Sequence, residues 1–153
     1  MKSILPAMLN KDLVKTKIRS IQEYLSEVEP ILSLPKEEII SNIEKLRTLE
    51  RNFQLIVDAM LDVNIHFIRE LELGSPDALK STFLILAEGK VLPSDFAEKI
   101  SPVVGLRNIL VHGYEKVDRN LFVDSFQKNK QDFDKYMLFV DSYMLNYNKT
   151  EQF

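Results

Sequence analysis

Apolar residues recur every three or four positions along most of this chain, which is the spacing that gives an α-helix one buried face. The first such stripe begins after Asn10, whose side chain can cap a helix, and should end at Pro30, because proline disrupts helical hydrogen bonding. We predict a helix between these two residues with its stripe facing the core. The stripe consists of Val14, Ile18, Ile21, Leu25 and Val28.

The second stripe is the longest and runs from Pro35 to Gly74. Pro35 is followed by Glu37 and Glu38, and a proline with acidic residues in the first turn favours a helix start. At 1.5 Å per residue, a helix over this stretch would be about 55 Å long, which is more than a small bundle needs. We therefore predict a bend, or a part that extends beyond its own core. Its apolar positions are Ile39, Ile43, Leu46, Phe53, Val57, Met60, Phe67 and Leu71.

A third helix is predicted to begin at Ser75-Pro76-Asp77, which combines an N-cap residue, a proline at the first helical position and an acid in the first turn. It should end near Gly89. Ser94 can cap a short helix after it, and Pro102 must kink or restart that helix. The residues expected to be buried in these elements are Leu79, Phe83, Leu86, Phe96 and Ile100.

The last helix follows Val117-Asp118 and carries one apolar stripe, with an interruption at Asn129 where we expect a solvated spot. Its stripe consists of Phe122, Phe126, Phe133, Met137, Val140 and Met144. Residues 146–153 are polar and should form a frayed tail. Together these patterns predict an all-α, up-and-down bundle of about five helices.

Composition agrees with a single globular domain over residues 1–153, of which 1–10 form an N-terminal extension. The chain is 45% hydrophobic and 28% charged, with only four glycines and six prolines. A length of 153 residues is enough to bury one sizeable core. No apolar run approaches 18 residues, so we expect a soluble protein that does not span a membrane.

Charge and rare residues narrow the chemistry. A net charge of −3 argues against coating nucleic acid by bulk electrostatics, so any such contact needs a local basic site. The absence of cysteine excludes disulfides, thiolate nucleophiles and cysteine zinc sites, and fits the cytoplasm. His66 and Glu70 are four apart and could share a metal ion, but two ligands do not make a site. We therefore predict no metal and a structural role for His66.

The segment from Gly105 to Tyr114 concentrates the polar chemistry of the chain. Arg107 offers a permanent cation that can grip phosphate oxygens, and His112 offers the side-chain type that titrates near neutral pH. This pairing suits phosphodiester cleavage. Asn108, four before His112, lies on the same helix face, and Gly113 should be a left-handed residue that leaves the histidine exposed at the helix end. The alternative is a capped helix end, with the histidine favoured by the helix dipole and the arginine paired with a carboxylate.

Ile109, Leu110 and Val111 are apolar and consecutive, which is typical of a helix covered both by its own bundle and by a partner chain.

The basic residues outside the motif leave alternatives open. Arg51 could pair with a core carboxylate such as Asp62, or it could support the site from behind. The basic residues nearest the segment could contact phosphate or simply form a solvated surface. These are Lys116, Arg119, Lys128 and Lys130, and the same two alternatives hold for Lys11, Lys15 and Arg19 on the first helix.

The string Arg107-Asn108-x3-His112-x-Tyr114 resembles the RX4HXY signature of the HepT family, toxin ribonucleases of the HEPN superfamily. Val117-Asp118 follows where that family often has it. Three further segments are similar to the same family in order and spacing, so that the resemblance covers about Leu13 to Leu145. These segments are Glu50-Arg51-Asn52-Phe53-Gln54, Asp62-Val63-Asn64-Ile65-His66 and Leu73-Gly74-Ser75-Pro76.

The resemblance implies a HEPN bundle that forms a homodimer through the motif helix, with one composite cleft. It implies a metal-independent endoribonuclease without a cofactor, which cleaves tRNA or mRNA by attack of the 2′-hydroxyl. Under this hypothesis His112 transfers protons, Arg107 stabilises charge in the transition state and Asn108 orients the histidine or the phosphate. The implied partner is a minimal nucleotidyltransferase antitoxin of the MntA type, which in some systems adenylylates the motif tyrosine, here Tyr114.

Two other functions stay open at this stage. The first is a HEPN bundle that no longer cleaves and acts as a helical partner or nucleotide-binding subunit of a nucleotidyltransferase. The intact pair of Arg107 and His112 counts against it. The second is a purely structural helical dimer, which explains the apolar stripes but leaves the motif without a use.

Overall fold

Helices account for all the regular structure in residues 8–151, the part of the chain that the computed structural model describes, apart from the side chains of residue 114 and of 148–151. Within this range there are seven α-helices and one 3-10 turn, and no strand. The helices are α1 (Lys11–Leu32), α2 (Lys36–Ile40), α3 (Ile43–Glu70), α4 (Ser81–Glu88), α5 (Ser94–Ile100), α6 (Val103–His112) and α7 (Arg119–Glu151), with the 3-10 turn at Tyr114–Lys116. The all-α prediction is confirmed, with seven helices in place of about five.

The beginning of α1 follows the sequence prediction and its end does not. The Asn10 carboxamide oxygen accepts a hydrogen bond from the backbone N–H of Leu13 at 3.0 Å, and all five predicted stripe residues are buried. The helix continues past Pro30 to Leu32, so the predicted end is wrong. Pro30 lies in the last turn on the exposed side, where its missing N–H removes only one helical hydrogen bond.

The long second helix of the prediction is divided into α2 and α3. The break lies at Ser41 and Asn42, where the Asn42 carboxamide accepts from the Lys45 N–H at 3.1 Å and starts a new helix. Helix α3 ends at Glu70, and Glu72 then takes a left-handed conformation with φ of 53°. Among the predicted stripe residues, Ile43 is exposed and Leu71 is partly buried, whereas the other six are buried.

The predicted start of the third helix at Ser75 is wrong, because α4 begins at Ser81. The cap-like triplet is followed by little apolar surface, and Leu79 is exposed. The chain instead turns, and the Thr82 hydroxyl donates to the Leu79 carbonyl at 2.7 Å to close the turn. Phe83 and Leu86 are buried as predicted.

The carboxyl-terminal half agrees closely with its pattern. Pro102 separates α5 from α6, and Asp118 accepts from the Leu121 N–H at 3.1 Å at the start of α7. The six predicted stripe residues of α7 are all buried. Its backbone stays helical from Asn146 to Glu151, where the sequence predicted a frayed tail, and residues 152 and 153 lie outside the described range. The expected N-terminal extension also lies largely outside that range.

Helix α3 is the centre of the core, since it packs against α1, α2, α4 and α6. The Phe53 ring also contacts three phenylalanine rings of α7, with ring centres 5.2–5.9 Å apart. Asn64 interrupts the apolar stripe of α3 but is fully satisfied: its amide donates to Thr82 at 3.0 Å, and its oxygen accepts from the Tyr136 hydroxyl at 2.6 Å. Burial raises the pKa of Tyr136 well above its ordinary value, so this hydroxyl remains a donor. Helix α3 is therefore held rigidly on several sides, which matters for the site that it supports.

No helix in the described range is long and apolar enough to cross a lipid bilayer.

Candidate active site

The motif lies on α6, a ten-residue helix that ends at His112. The histidine is exposed at the carboxyl end of the helix, as predicted. Gly113 closes the helix by donating its N–H to the Ile109 carbonyl at 2.9 Å, but its φ of −130° is not left-handed, so that part of the prediction is wrong. A left-handed conformation at Gly113 is not needed, because the chain continues directly into the 3-10 turn. In this turn the Lys116 N–H donates to the Gly113 carbonyl at 2.8 Å.

Arg107 is the most constrained side chain of the motif. Its Nε–H donates to Oδ1 of Asp58 on α3 at 2.8 Å, and its Nη1 donates to Oδ1 of the neighbouring Asn108 at 3.0 Å. About four fifths of the arginine side chain is buried, with 19% exposed. Arginine has five N–H donors, so three, on the two terminal nitrogens, have no hydrogen-bond partner among the described residues. The guanidinium is thus fixed on one side and able to bind an anion on the other.

Asp58 is a site residue that the sequence analysis missed. Pairing of Arg107 with a carboxylate belonged to the alternative interpretation of a capped helix end, and it is present, with a partner that lies 49 residues away on another helix. A signal was available, because Asp58 places a carboxylate between the buried residues Val57 and Ala59 on a helix that was predicted to face the core. Sequence alone does not show which of the carboxylates on α3 faces the motif helix.

Asn108 and His112 share the exposed side of α6, as their spacing predicted. The Asn108 oxygen is occupied by Arg107, which turns its amide group into a pair of donors on the same surface as the histidine. The backbone of Tyr114 begins the 3-10 turn two residues after His112. The expectation that its side chain is exposed falls outside the described structure.

One side of α6 is packed and the other is open. Leu110 is buried against the chain's own core, whereas Ile109 and Val111 are 41% and 37% exposed. Beside Ile109 an open groove of about 420 Å³ lies between α6 and α7. Its walls are mainly apolar and include Leu106, Ile109 and Leu121, and Lys128 stands beside them. The expected cover by the chain's own bundle is therefore present on one side only.

Other residues that the sequence singled out lie elsewhere. The predicted pairing of Arg51 with Asp62 is wrong, because Asp62 pairs with Lys17 of α1 at 2.8 Å. Glu50, which precedes Arg51, pairs with Arg47 at 3.1 Å within the same helix. Arg51 itself is exposed. Lys130 pairs with Glu29 and is therefore engaged away from the motif.

His66 is buried in α3 and belongs to the scaffold. Its Nε2 accepts a hydrogen bond from the backbone N–H of Asn10 at 2.9 Å, which ties the start of α1 to α3. Burial lowers the pKa of His66, an effect that the negative charge of Glu70 partly offsets. Within residues 8–151, no group of three or more histidine, cysteine, aspartate or glutamate side chains is arranged to hold a metal ion.

Comparison with known proteins gives a consistent picture. A sequence profile of the family described as "Ribonuclease HepT-like" matches residues 21–139. The chain is 28% identical over 133 residues to the tRNA nuclease HepT of Aphanizomenon flos-aquae, covering 87% of this chain and 90% of that protein. It is 23% identical over 126 residues to the mRNA nuclease HepT of Shewanella oneidensis, covering 82% of this chain and 94% of that protein.

Solved structures show the same fold. A toxin–antitoxin structure with AMP-PNP superposes with a TM-score of 0.80 at 21% identity, covering 86% of this chain and 99% of that one. A tri-AMPylated HEPN toxin of Shewanella oneidensis in complex with its MNT antitoxin superposes with a TM-score of 0.79 at 22% identity, covering 87% and 99%.

Proposed function

The chain belongs to the HepT-like ribonuclease family, and from this premise we propose that it is the RNA-cleaving toxin of a toxin–antitoxin pair, with Arg107, Asn108 and His112 as its active site. The observation that carries the proposal is the arrangement on α6. A guanidinium held by two oxygens has three donors without a partner in the described part of the chain, and an exposed histidine lies on the same short helix. This arrangement suits a phosphodiester, which needs charge stabilisation and proton transfer at neighbouring positions.

The reaction is a transesterification within the RNA. The 2′-oxygen attacks the adjacent phosphorus as a base removes its proton, and the bond from phosphorus to the 5′-oxygen breaks as an acid protonates the leaving oxygen. The products are a 2′,3′-cyclic phosphate and a free 5′-hydroxyl. His112 performs proton transfer, because it is the exposed histidine at the motif. The reaction needs no metal ion, since an arginine and a histidine supply the charge and the proton transfer.

Arg107 stabilises the additional negative charge that develops on the phosphate oxygens. Its position is set before RNA binds, because Asp58 and Asn108 hold the guanidinium on one edge. Preorganised donors of this kind contribute about 10²-fold or more to a rate. Asn108 directs the arginine and presents its own amide donors to the phosphate.

We further propose that the site is completed by a second copy of the chain. One protomer supplies one motif histidine, whereas the reaction gains from both a base and an acid. A homodimer through α6 provides two. The exposed Ile109 and Val111, together with the apolar groove beside Ile109, supply the surface that such a contact buries.

The partner that silences the toxin is a nucleotidyltransferase antitoxin of the MntA type, in line with the MNT and MntA antitoxins of similar structures. We place the pair in the cytoplasm, which agrees with a sequence without cysteine. Tyr114 is the acceptor of an adenylyl group. Its backbone starts the 3-10 turn two residues after His112, so an adenylyl group attached to it brings negative charge to the end of the motif helix. That charge repels the RNA phosphate that the site must bind.

The test is cleavage of an end-labelled single-stranded RNA by the purified chain in the presence of EDTA. We expect fragments that end in a 2′,3′-cyclic phosphate, and we expect His112→Ala to remove them. If His112→Ala cleaves as fast as the wild type, the assignment of the active site is wrong. If activity disappears with EDTA and returns with magnesium, the metal-independent mechanism is wrong.

A further inference from the structure

Helix α3 presents one exposed face on the side where it meets the motif. Positions spaced by three and four residues share a helix face, and the side chains on this face are all exposed or half-buried. We call this face the α3 stripe. Its charged and amide members, in chain order, are Glu44, Arg47, Arg51, Gln54, Asp58, Asp62 and Arg69.

Ion pairs cancel most of the charge along the α3 stripe. Asp62 is neutralised by Lys17, and Asp58 is neutralised by Arg107. Arg47 is engaged by the buried carboxylate of Glu50. Arg51 forms no ion pair with any described side chain. Arg69 is engaged by Glu70 at 3.4 Å. Among the cations that the structure describes on the stripe, Arg51 is therefore the one without an ion pair, and it lies on the amino-terminal side of Asp58.

The spacing between Arg51 and Asp58 defines what this cation can bind. Seven residues are nearly two full turns, so the two side chains point in almost the same direction and their backbones are about 10.5 Å apart along the helix. Asp58 is hydrogen-bonded to Arg107, so the position of Asp58 on α3 also locates the guanidinium of Arg107. This separation along the helix suits a binding role for Arg51 at a neighbouring phosphate of the same strand, while Arg107 binds the scissile one. Arginine is suited to this role because its fork of donors matches two phosphate oxygens.

We propose that Arg51 forms a second phosphate-binding subsite for the RNA strand, separate from the phosphate that is cleaved. The strand leaves the catalytic arginine along the α3 stripe towards Arg51, because in the opposite direction the charges of Asp62 and Arg69 are already paired and the exposed Ile65 between them is apolar. The preferred substrate is thus single-stranded RNA with at least one further phosphate beyond the scissile one. This inference rests on the proposed ribonuclease function and adds a direction and a minimum length to its substrate.

A matched control is available in Arg19 on α1. It is exposed, it lies within a helix, and no acidic side chain in the described range pairs with it. Lys17 reaches the α3 stripe, and Arg19, two positions later, points about 160° away from it. Arg19→Ala therefore removes the same charge from the molecule without touching the stripe.

The experiment measures binding of a fluorescent single-stranded oligoribonucleotide to the full chain carrying His112→Ala, so that RNA is not consumed. We expect Arg51→Ala to weaken binding about threefold to tenfold, the range for one charge-assisted contact at a surface. The slope of log affinity against log salt should fall by about 0.7, the value for one phosphate on a single strand. Arg51→Lys should keep most of the affinity, and Arg19→Ala should change neither quantity.

Cleavage provides the second measurement. In the chain with His112 intact, Arg51→Ala should lower the preference for an oligonucleotide over a dinucleotide, because a dinucleotide contains only the scissile phosphate. If Arg51→Ala matches Arg19→Ala in affinity, salt slope and this preference, the subsite does not exist, and the ribonuclease function is unaffected by that result. If the wild-type chain cleaves neither substrate, the ribonuclease function fails, whereas the binding measurement still decides whether Arg51 contacts the strand.

Discussion

Arg107 on the motif helix donates its Nε–H to Asp58 on the central helix across 2.8 Å, although 49 residues separate the two in the chain. The contact links the proposed catalytic cation to α3, which is packed against four other helices. Because α3 is rigid, the position of the guanidinium is determined by the core and not by the short α6 alone. Asp58 is thus a positioning residue for the site.

Asp58→Ala should lower kcat about tenfold and lower the stability of the fold by about 1–3 kcal/mol, since it leaves the largely buried guanidinium of Arg107 without its carboxylate. Asp58→Asn keeps an oxygen acceptor for Nε and should restore most of kcat. Steady-state kinetics and thermal unfolding of the three proteins check this. An increase in kcat for Asp58→Ala would mean that the carboxylate competes with the phosphate for Arg107 and does not position it.

His112→Ala and Arg107→Ala should each lower the rate by about 10²-fold or more, because proton transfer and charge stabilisation each contribute at that scale. Single-turnover cleavage, normalised to the folded fraction measured by circular dichroism, gives the comparison. His66→Ala is the control histidine: it removes a buried contact to Asn10 and should lower the unfolding temperature without a comparable loss of rate in the folded protein. A loss of rate in folded His66→Ala as large as that in His112→Ala would show that the two histidines were assigned incorrectly.

The pH dependence of stability should also report on His66. Burial holds its pKa below the ordinary value of 6.5, so the neutral form is favoured in the folded state. The sign follows from this: the contribution of His66 to stability is complete above about 6.5 and is lost as the pH falls towards its lowered pKa. His66→Gln keeps an oxygen that can accept from Asn10 but does not titrate. Denaturant unfolding from pH 7.5 to 5 should show a steeper loss of stability in the wild type than in His66→Gln, and equal slopes would contradict this account.

Association through the motif helix can be tested in the groove between α6 and α7. Leu121 lines this groove and is 59% exposed, so Leu121→Glu should leave the fold intact and convert a dimer into a monomer. Light scattering at micromolar concentration measures the change, and cleavage should fall with it. Leu138→Glu is the matched control, since Leu138 is 65% exposed on the same helix but lies about 25 Å away along its axis. A wild-type chain that is a stable monomer would remove the composite site.

The sequence predicted the fold correctly where a single apolar stripe determines which face of a helix is buried. The stripes of α1 and α7 are buried as predicted, because a spacing of three and four residues is a direct consequence of helix geometry. The start of α4 was not predictable in this way. Ser75-Pro76-Asp77 has the chemistry of a cap, but a cap stabilises a helix only where the next turns have a surface to pack against, and Leu79 has none.

The sequence predicted only those site residues that lie together on one helix, α6. Arg107, Asn108 and His112 could be chosen because their spacing defines their mutual directions on α6. The partner of Arg107 could not be chosen, because it depends on how α6 crosses α3, and the residues of α3 offered several carboxylates. The incorrect pairing of Arg51 with Asp62 has the same cause: the position of Lys17 on a third helix decides which acid is already occupied.

The last prediction concerns Tyr114, which follows the end of the motif helix. If the antitoxin silences the toxin by attaching an adenylyl group to the tyrosine oxygen, Tyr114→Phe keeps the ring, removes the acceptor and should escape silencing while it still cleaves RNA. Co-expression with the antitoxin, followed by cell viability and mass measurement of the purified toxin, separates the possibilities. We expect the wild type to gain mass in adenylyl units and lose toxicity, and we expect Tyr114→Phe to do neither. If Tyr114→Phe is silenced as completely as the wild type and no adenylyl mass is found on either protein, the antitoxin acts by binding alone and Tyr114 has no regulatory role.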